Sequence, residues 1–475
     1  MNVLQHPRFT YCGLLLSLLL TGCATSEGLT THNSMVSADS LQAQKSLQGV
    51  NFSKAAWPQL NWWQSFNDPQ LNQLITQALA HNPDLQTVNA QADKANAAVV
   101  AAEAARMPTL NADASVTRSR IAKVDDPLLT GDRYSTLRTA SLGASYTLDL
   151  WGGQKAAWES AVGSARASEV DKQGAKLTLA ANVTRAYINL NLAWRLQSLA
   201  DENLKRNQQI SKLQQQYFQN GLATRYQYNQ ALANEKSAEQ AFTASRQAVT
   251  DAGIKLSILL GQGPDSWRSL KPVTLSVPNG LALPSTLPAE LVGRRPDVVA
   301  ARWRVEAAEK RITSVKTEFY PNINLVAEAG SRNLIGDAFF GAPSSFFNVG
   351  PTFSLPIFDG GKRRADLASS NADWDLAVAH YNSVVISALG NISEGITGLQ
   401  SLADQRVQAE QANQLVHSAW NDVSSEYKAG LRPWLDVLTL QNQLIQSDQQ
   451  VAELQAQQVN QAVLLMEQLG GGFKS

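Results

Sequence analysis

Residues 141–162 read SLGASYTLDLWGGQKAAWESAV, and the change of period inside this stretch decides the fold. Through Leu150 the residues alternate: Leu142, Ala144, Tyr146, Leu148 and Leu150 fall on one face, Ser141, Gly143, Ser145, Thr147 and Asp149 on the other. That is the period of a strand with one apolar and one polar side. Past Trp151 and the Gly152-Gly153 turn, the chain runs without proline to Phe218. A helix of roughly 65 residues is expected there, about 100 Å long at 1.5 Å per residue.

The same alternation recurs in three other places. Thr109–Thr117 sets Leu110, Ala112, Ala114 and Val116 against Thr109, Asn111, Asp113 and Ser115. Residues 322–330 set Ile323, Leu325, Ala327 and Ala329 against polar neighbours, broken only by Val326. Residues 347–358 alternate Phe347, Val349, Phe353, Leu355 and Ile357 with Asn348, Gly350, Thr352 and Ser354, with Pro351 and Pro356 marking ends or bulges. Strands of about ten residues, apolar on one side and polar on the other, have the length and period of membrane-barrel strands.

Four strands cannot close. An open sheet in hydrocarbon leaves two edges of unpaired N–H and C=O groups, each costing several kcal/mol. The chain therefore has to associate with copies of itself; two, three or four copies would give 8, 12 or 16 strands. A mean hydropathy of −0.21 fits, because only half of each short strand meets lipid.

The chain also repeats itself. Asn82-Pro83-Asp84-Leu85 matches Arg295-Pro296-Asp297-Val298, and Met107-Pro108 matches Tyr320-Pro321. Trp151-Gly152-Gly153 matches Phe358-Asp359-Gly360-Gly361, and Phe218-Gln219-Asn220-Gly221-Leu222 matches Tyr427-Lys428-Ala429-Gly430-Leu431. Self-similarity over the whole length marks an internal duplication. In the last helix, Leu438, Ile445, Ala452, Val459 and Met466 recur every seven residues, as do Val437, Leu444, Val451, Gln458 and Leu465. A double heptad seam predicts coiled-coil contacts on two sides, as in a tube of helices.

Forty basic residues balance forty acidic ones, which gives no electrostatic ground for a nucleic-acid partner. No HExxH, Walker A or Gly-x-Ser-x-Gly occurs and the five histidines are scattered, so neither an enzyme nor a metal or cofactor is expected. At the N-terminus, Arg8 precedes an apolar run at Leu14–Leu20 that is too short to span a bilayer. Leu20-Thr21-Gly22-Cys23 then resembles the bacterial lipoprotein signal, which implies cleavage before Cys23 and its lipidation. Ala24 in place of Asp favours the outer membrane. Cys12 lies in the removed segment, so no disulfide is expected.

The expected organisation is a signal peptide at 1–22 and a lipidated tether at 23–60. A first repeat follows at 61–264, with strands 109–117 and 141–151 and a helical hairpin 154–260. A connector occupies 265–288. The second repeat, 289–475, holds strands 322–330 and 347–358 and a hairpin 361–470. Trp57, Trp62, Trp63 and Phe66 are expected to pack together where the tether docks. Lys362-Arg363-Arg364, just past a strand end, reads either as a solvated helix start or as a contact with phosphate headgroups.

Together the Cys23 signal, the paired Pro-Asp starts, the Gly-Gly junctions and the duplicated Gly-Leu turns resemble the TolC-type outer-membrane efflux channels, closest to their lipoprotein branch. The resemblance covers nearly all the mature chain. It implies a mainly α fold with a membrane β-barrel portion: a homotrimer with a 12-stranded barrel continued by a 12-helix periplasmic tube. It also implies a periplasmic adaptor and an inner-membrane RND-type transporter as partners, and export of drugs, toxic small molecules or metal ions. Rival readings are a type I protein-secretion outlet and a lipid-anchored coiled-coil scaffold without a pore.

By the same resemblance Tyr427, Arg432 and Asp436 stand at gate positions, with Tyr226 and Gln227 as their first-half partners. Gly221-Leu222 and Gly430-Leu431 stand at the adaptor-docking turns. Thr439 replaces a second acid found in some relatives, and no Asp stands beside Tyr226. A hydrogen-bonded closure is therefore favoured over a charge-locked one.

Overall fold

The computed structural model describes residues 26–37, 41, 57–120, 122, 124, 128, 134–277, 293–334 and 339–474. The signal peptide, Cys23, the loop acids Asp125, Asp126 and Asp132, and 278–288 of the connector lie outside the described residues. The elements in order are α1 (Pro69–His81), α2 (Pro83–Ala104), β1 (Thr109–Arg120), β2 (Tyr134–Leu148), α3 (Gly153–Gln219), α4 (Arg225–Leu259), α5 (Pro296–Thr317), β3 (Asn322–Leu334), β4 (Ser345–Ser354), α6 (Lys362–Lys428) and α7 (Trp434–Gln468). They divide into two compact units that cut across the duplicated halves, since each unit takes residues from both.

The first unit, drawn from 1–35, 92–168 and 301–381, holds one antiparallel sheet in the order β1-β2-β3-β4. Its central ladder, Leu148↔Ile323 to Leu137↔Leu334, joins the two halves of the chain. Directly paired residues share a face. Leu110 pairs with Ala144, Ala144 with Ala327 and Ala327 with Val349; one step along, Ala112, Leu142, Ala329 and Phe347 align. The opposite face carries Asn111, Gly143, Glu328 and Asn348 in register. Among the described residues, β1 and β4 have no partner on their outer edges.

The strand bounds differ from those expected. β2 starts at Tyr134 instead of Ser141, because its ladder continues where both faces turn polar and the alternation disappears. β2 stops at Leu148, before Trp151: Asp149 turns its carboxylate to accept from Gln154 N (3.1 Å) and Lys155 N (2.8 Å), capping α3. β1 and β3 likewise run on, to Arg120 and Leu334. β4 ends at Ser354, short of Phe358. There Asp359 accepts from Gly361 N (3.0 Å) and Arg363 N (3.2 Å) at the start of α6.

Arg363 corrects the headgroup reading of its basic run. It is buried; its Nε meets Asp359 Oδ2 at 2.6 Å, and Nη2 donates to Pro356 O at 2.7 Å. Lys362 pairs with Asp366 at 2.7 Å, and Arg364 donates to Glu27 O at 3.3 Å. The run staples the sheet-to-helix junction.

Residues 26–37 follow α6. Leu29 packs on Ile312, Val315 and Leu367, and Asp375 accepts from His32 N (2.9 Å) and Asn33 N (2.8 Å). The Asn33 amide bond, followed by that of His32, holds the Asp375 carboxyl below its usual range. A depressed carboxylate adds stability above its unfolded pKa and loses it as pH falls through the lowered folded value. Acid is therefore expected to release the tether. At neutral pH, Asp375→Ala is expected to speed hydrogen exchange at the His32 and Asn33 amides by roughly tenfold, through loss of two charge-assisted hydrogen bonds. Unchanged exchange at both amides contradicts this.

The second unit, from 36–91, 169–300 and 382–475, is helical. Its main core joins Leu71, Ile75 and Ala78 of α1 to Val183, Tyr187 and Leu190 of α3, Leu256 of α4, and Val459 and Val463 of α7. Asp68 caps α1 through Gln70 N (2.8 Å) and accepts from the buried Tyr187 hydroxyl (3.0 Å). Trp62 packs edge-on against Trp63 and Phe66. Trp57 does not join them; it lies against Leu389, Ile392 and Leu469, with Arg294 over its ring at 4.7 Å.

Here the duplication shows as one joint built twice. Asn82 Nδ2 donates to Leu259 O (3.0 Å), at the end of α4. Arg295 Nη1 donates to Gln468 O (2.8 Å), at the end of α7. Gly261 and Gly470 follow those ends with φ of 67° and 86°. A Cβ at either would fall on the backbone before the Pro-Asp start, at His81 and Arg294 respectively. Glycine is required at both, by conformation and by approach.

Candidate functional site

The two turns where the long hairpins reverse lie in the second unit and share one hydrogen-bond pattern. At the first, Gly221 N donates to Phe218 O (3.1 Å) and Leu222 N to Tyr217 O (2.7 Å). At the second, Gly430 N donates to Tyr427 O (3.0 Å) and Leu431 N to Glu426 O (2.9 Å). Both glycines have φ of 75°, the left-handed residue that ends a helix with its last carbonyls satisfied. Each turn thereby holds out one leucine: Leu222 is 75% and Leu431 76% exposed.

The turns then diverge. After the first, Thr224 and Gln227 form a capping box, with Gln227 N on Thr224 Oγ1 (3.3 Å) and Thr224 N on Gln227 Oε1 (2.8 Å). The side chain of Gln227 is thus engaged within its own turn. Tyr226 stands 75% exposed, and Phe218 stacks on Tyr228.

After the second, Pro433 starts α7 without a side-chain cap, and a charge cluster takes its place. Arg432 Nε contacts Glu426 Oε2 at 2.7 Å and its Nη1 lies 3.5 Å from Asp436 Oδ2. Asp436 also lies in the first turn of α7, where a negative charge offsets the helix dipole. All three groups are part-exposed, so solvent screening leaves these pairs weak. Thr439 Oγ1 donates to Leu435 O (3.0 Å).

Tyr427 connects the hairpins. Its hydroxyl accepts from Gln214 Nε2 of α3 at 2.6 Å, and its ring lies 5.5 Å from Trp434. Burial raises its pKa, with Tyr217 adding to the effect. Ala231, Trp434 and Val437 form a small core here, with Ile210, Val423 and Leu438 packed around it. Just away from this core the α3–α7 seam turns polar: Gln441 Nε2 donates to Asn203 Oδ1 (3.2 Å), and Asn207 and Ser211 are buried nearby on α3. Gln214 Oε1 and Gln441 Oε1 are buried without a hydrogen-bond partner among the described residues.

The structure therefore gathers Tyr427, Arg432 and Asp436 at one turn and leaves Tyr226 and Gln227 at the other. Sequence reasoning missed Glu426 and Gln214. Glu426 was visible as the acid six residues before Arg432 across a glycine turn, and Gln214 as the polar residue one heptad after Asn207. Among the described residues no His, Cys, Asp and Glu group could hold a metal, and no helix is long and apolar enough to cross a membrane.

Comparison with known proteins gives a consistent result. The family model "Outer membrane efflux protein" matches twice, over residues 74–262 and 287–471, so the chain carries the family pattern in two successive copies. The chain is 35% identical over 365 residues to the fusaric acid resistance protein FusA of Burkholderia cepacia, covering 76% of this chain and 68% of that one. It is 27% identical over 482 residues to the multidrug resistance outer membrane protein MdtP of Escherichia coli K12, covering 99% and 98%. The crystal structure of the outer membrane protein VceC from Vibrio cholerae matches with a TM-score of 0.80 at 31% identity, covering 88% of this chain and 100% of that one.

Proposed function

The chain belongs to the outer membrane efflux protein family, and from that membership we propose that it works as the passive exit duct of a tripartite pump. Three copies close one barrel of twelve strands, and their paired hairpins line a helical tube in the periplasm. The observation that carries this reading is the two-faced sheet with open outer edges on β1 and β4. In lipid such edges have to be filled by further strands, and identical copies supply them in register. Cys23 carries the lipid anchor.

The duct is energised elsewhere, by an inner-membrane RND-type transporter joined through a periplasmic adaptor. The adaptor seats on the exposed Leu222 and Leu431 turns. Closure rests on the turns themselves: the Tyr427–Gln214 bond holds the two hairpins together, and Arg432 gathers Glu426 and Asp436. Because the charge pairs are solvated and the α3–α7 seam is polar, the closed state is shallow and adaptor contact is enough to part the hairpins. Cargo is a class of small toxic organic molecules, as the names of FusA and MdtP suggest for those relatives.

Purified full-length protein in planar bilayers tests the reading. Discrete conductance steps are expected, and Asp436→Ala is expected to raise the single-channel value by roughly twofold and to weaken cation preference, since acidic rings attract cations. Absence of steps rules out the duct. Steps unaltered in size and selectivity by Asp436→Ala rule out that residue's part in closure.

A further inference from the structure

The sheet carries a second pattern above its apolar band. On the face of Leu142 and Ala329, the register climbs from Leu148, Ile323 and Phe353 through Ala140, Ser331 and Ser345 to Val116, Arg138 and Asn333. Two further steps bring Arg118 opposite Thr136 and Arg120 opposite Tyr134. Leu148 and Arg138 are ten residues apart in β2. At about 3.4 Å per residue and a tilt near 45°, that is about 24 Å of height, the thickness of the apolar band of a membrane barrel. Arg138 therefore stands at the upper limit of the hydrocarbon, and Arg118 and Arg120 just beyond it.

The lower limit is marked independently by Trp151, stacked on Tyr320 at 4.9 Å with its Nε1 donating to Pro321 O at 2.8 Å. Aromatic side chains of this kind settle at membrane–water interfaces. The two limits are chemically unlike. At the lower one, the basic groups Lys362 and Arg363 are paired with Asp366 and Asp359. At the upper one, Arg118, Arg120 and Arg138 are exposed and make no ion pair among the described residues. Arg118 and Arg120 flank the Tyr134 ring at 5.3 and 5.7 Å, an arrangement that holds two guanidinium groups at one height.

We propose that Arg118, Arg120, Arg138 and Tyr134 form a collar that binds the phosphate groups of anionic lipid in the outer leaflet. It rests on the reading of the apolar face as the lipid-facing one. Three features select this occupant. The collar continues the lipid-facing surface, its height is that of headgroups, and a guanidinium matches phosphate oxygens in a bidentate fork. In a trimer the collar repeats around the barrel and anchors its outer end, as the Cys23 lipid anchors the inner one.

The test is native mass spectrometry of the purified full-length protein with a bis-phosphorylated glucosamine lipid, with phosphatidylglycerol and with phosphatidylcholine. The wild type is expected to retain the phosphorylated glycolipid at least about tenfold more strongly than phosphatidylcholine, and to lose that preference between about 0.1 M and 1 M salt as screening shortens. The triple variant Arg118→Gln, Arg120→Gln, Arg138→Gln is expected to lose the preference while forming channels of wild-type conductance, and the triple Arg→Lys variant, which keeps the charge but not the fork, to keep only part of it. The loop between β1 and β2 contains Asp125, Asp126 and Asp132. Were those carboxylates to neutralise the collar, the wild type would show no preference, and that result overturns the proposal. So does a Gln variant that binds within twofold of wild type. If the Gln variant fails to assemble, salt dependence of the wild type decides alone. Channel formation without lipid preference sinks the collar and leaves the duct standing.

Discussion

Leu142→Arg is expected to remove the protein from the membrane, and Ser141→Arg, one residue away, to leave it there. Leu142 sits in the middle row of the apolar face, aligned with Ala112, Ala329 and Phe347. A charge at that depth on the lipid side of a barrel costs about 2–4 kcal/mol per copy, and three copies in one barrel multiply it. Ser141 pairs with Asp113 and Gly330 on the opposite face. An arginine there meets water, so insertion is expected to persist while ion selectivity moves toward anions. The measurements are the yield of oligomer that survives in washed outer membranes and the reversal potential of single channels. Insertion of Leu142→Arg at wild-type yield, with loss of Ser141→Arg, means that the faces are reversed.

The second large effect is expected at the end of α7. A methyl group at Gly470 has to adopt φ of 86°, and its Cβ falls on the carbonyl of Arg294, a backbone atom that no rotamer change can move. Positive φ alone costs about 1–3 kcal/mol for a residue other than glycine. The collision adds to it, so Gly470→Ala is expected to cost about 3 kcal/mol or more. Gly261→Ala, which falls on His81 O, is expected to behave alike because it is the same joint. Gly430→Ala is the control: its φ is 75° but nothing lies within 4 Å of the added atom, so only the conformational cost applies. Thermal unfolding of the three variants orders them, and a Gly470→Ala protein as stable as Gly430→Ala refutes the joint.

The faces of the sheet were legible from sequence because lipid and water demand opposite chemistry at alternate residues. That demand weakens toward the far end of β2, where both faces are mostly polar, which is why residues 134–140 carry no sign of belonging to it. The duplication was legible from its glycines and prolines, since backbone conformation tolerates few substitutes. The joint behind it was not, because Asn82 and Arg295 look unrelated until each is seen to reach the last carbonyl of its own return helix. Nearness in sequence puts Trp57 with Trp62, whereas packing separates them. Arg363 looked like one of three surface charges; only its depth and its partners Asp359 and Pro356 reveal a structural role. At the turns, Tyr427, Arg432 and Asp436 stood out only through the family resemblance, and the structure brings the three to one turn. Gln214 could not be assigned to Tyr427, because the bond spans 213 residues of sequence.

The pairing of β2 with β3 also has a bearing on biogenesis. These strands are separated by both arms of the first hairpin, so the middle of the sheet cannot zip until the polypeptide has been exported as far as Leu334. Closing so long a span is entropically slow, and until it happens the first strand pair travels with a bare margin. Even the finished subunit keeps two sticky borders until it meets its siblings. Cover for those borders until the copies meet follows as a requirement of that strand order.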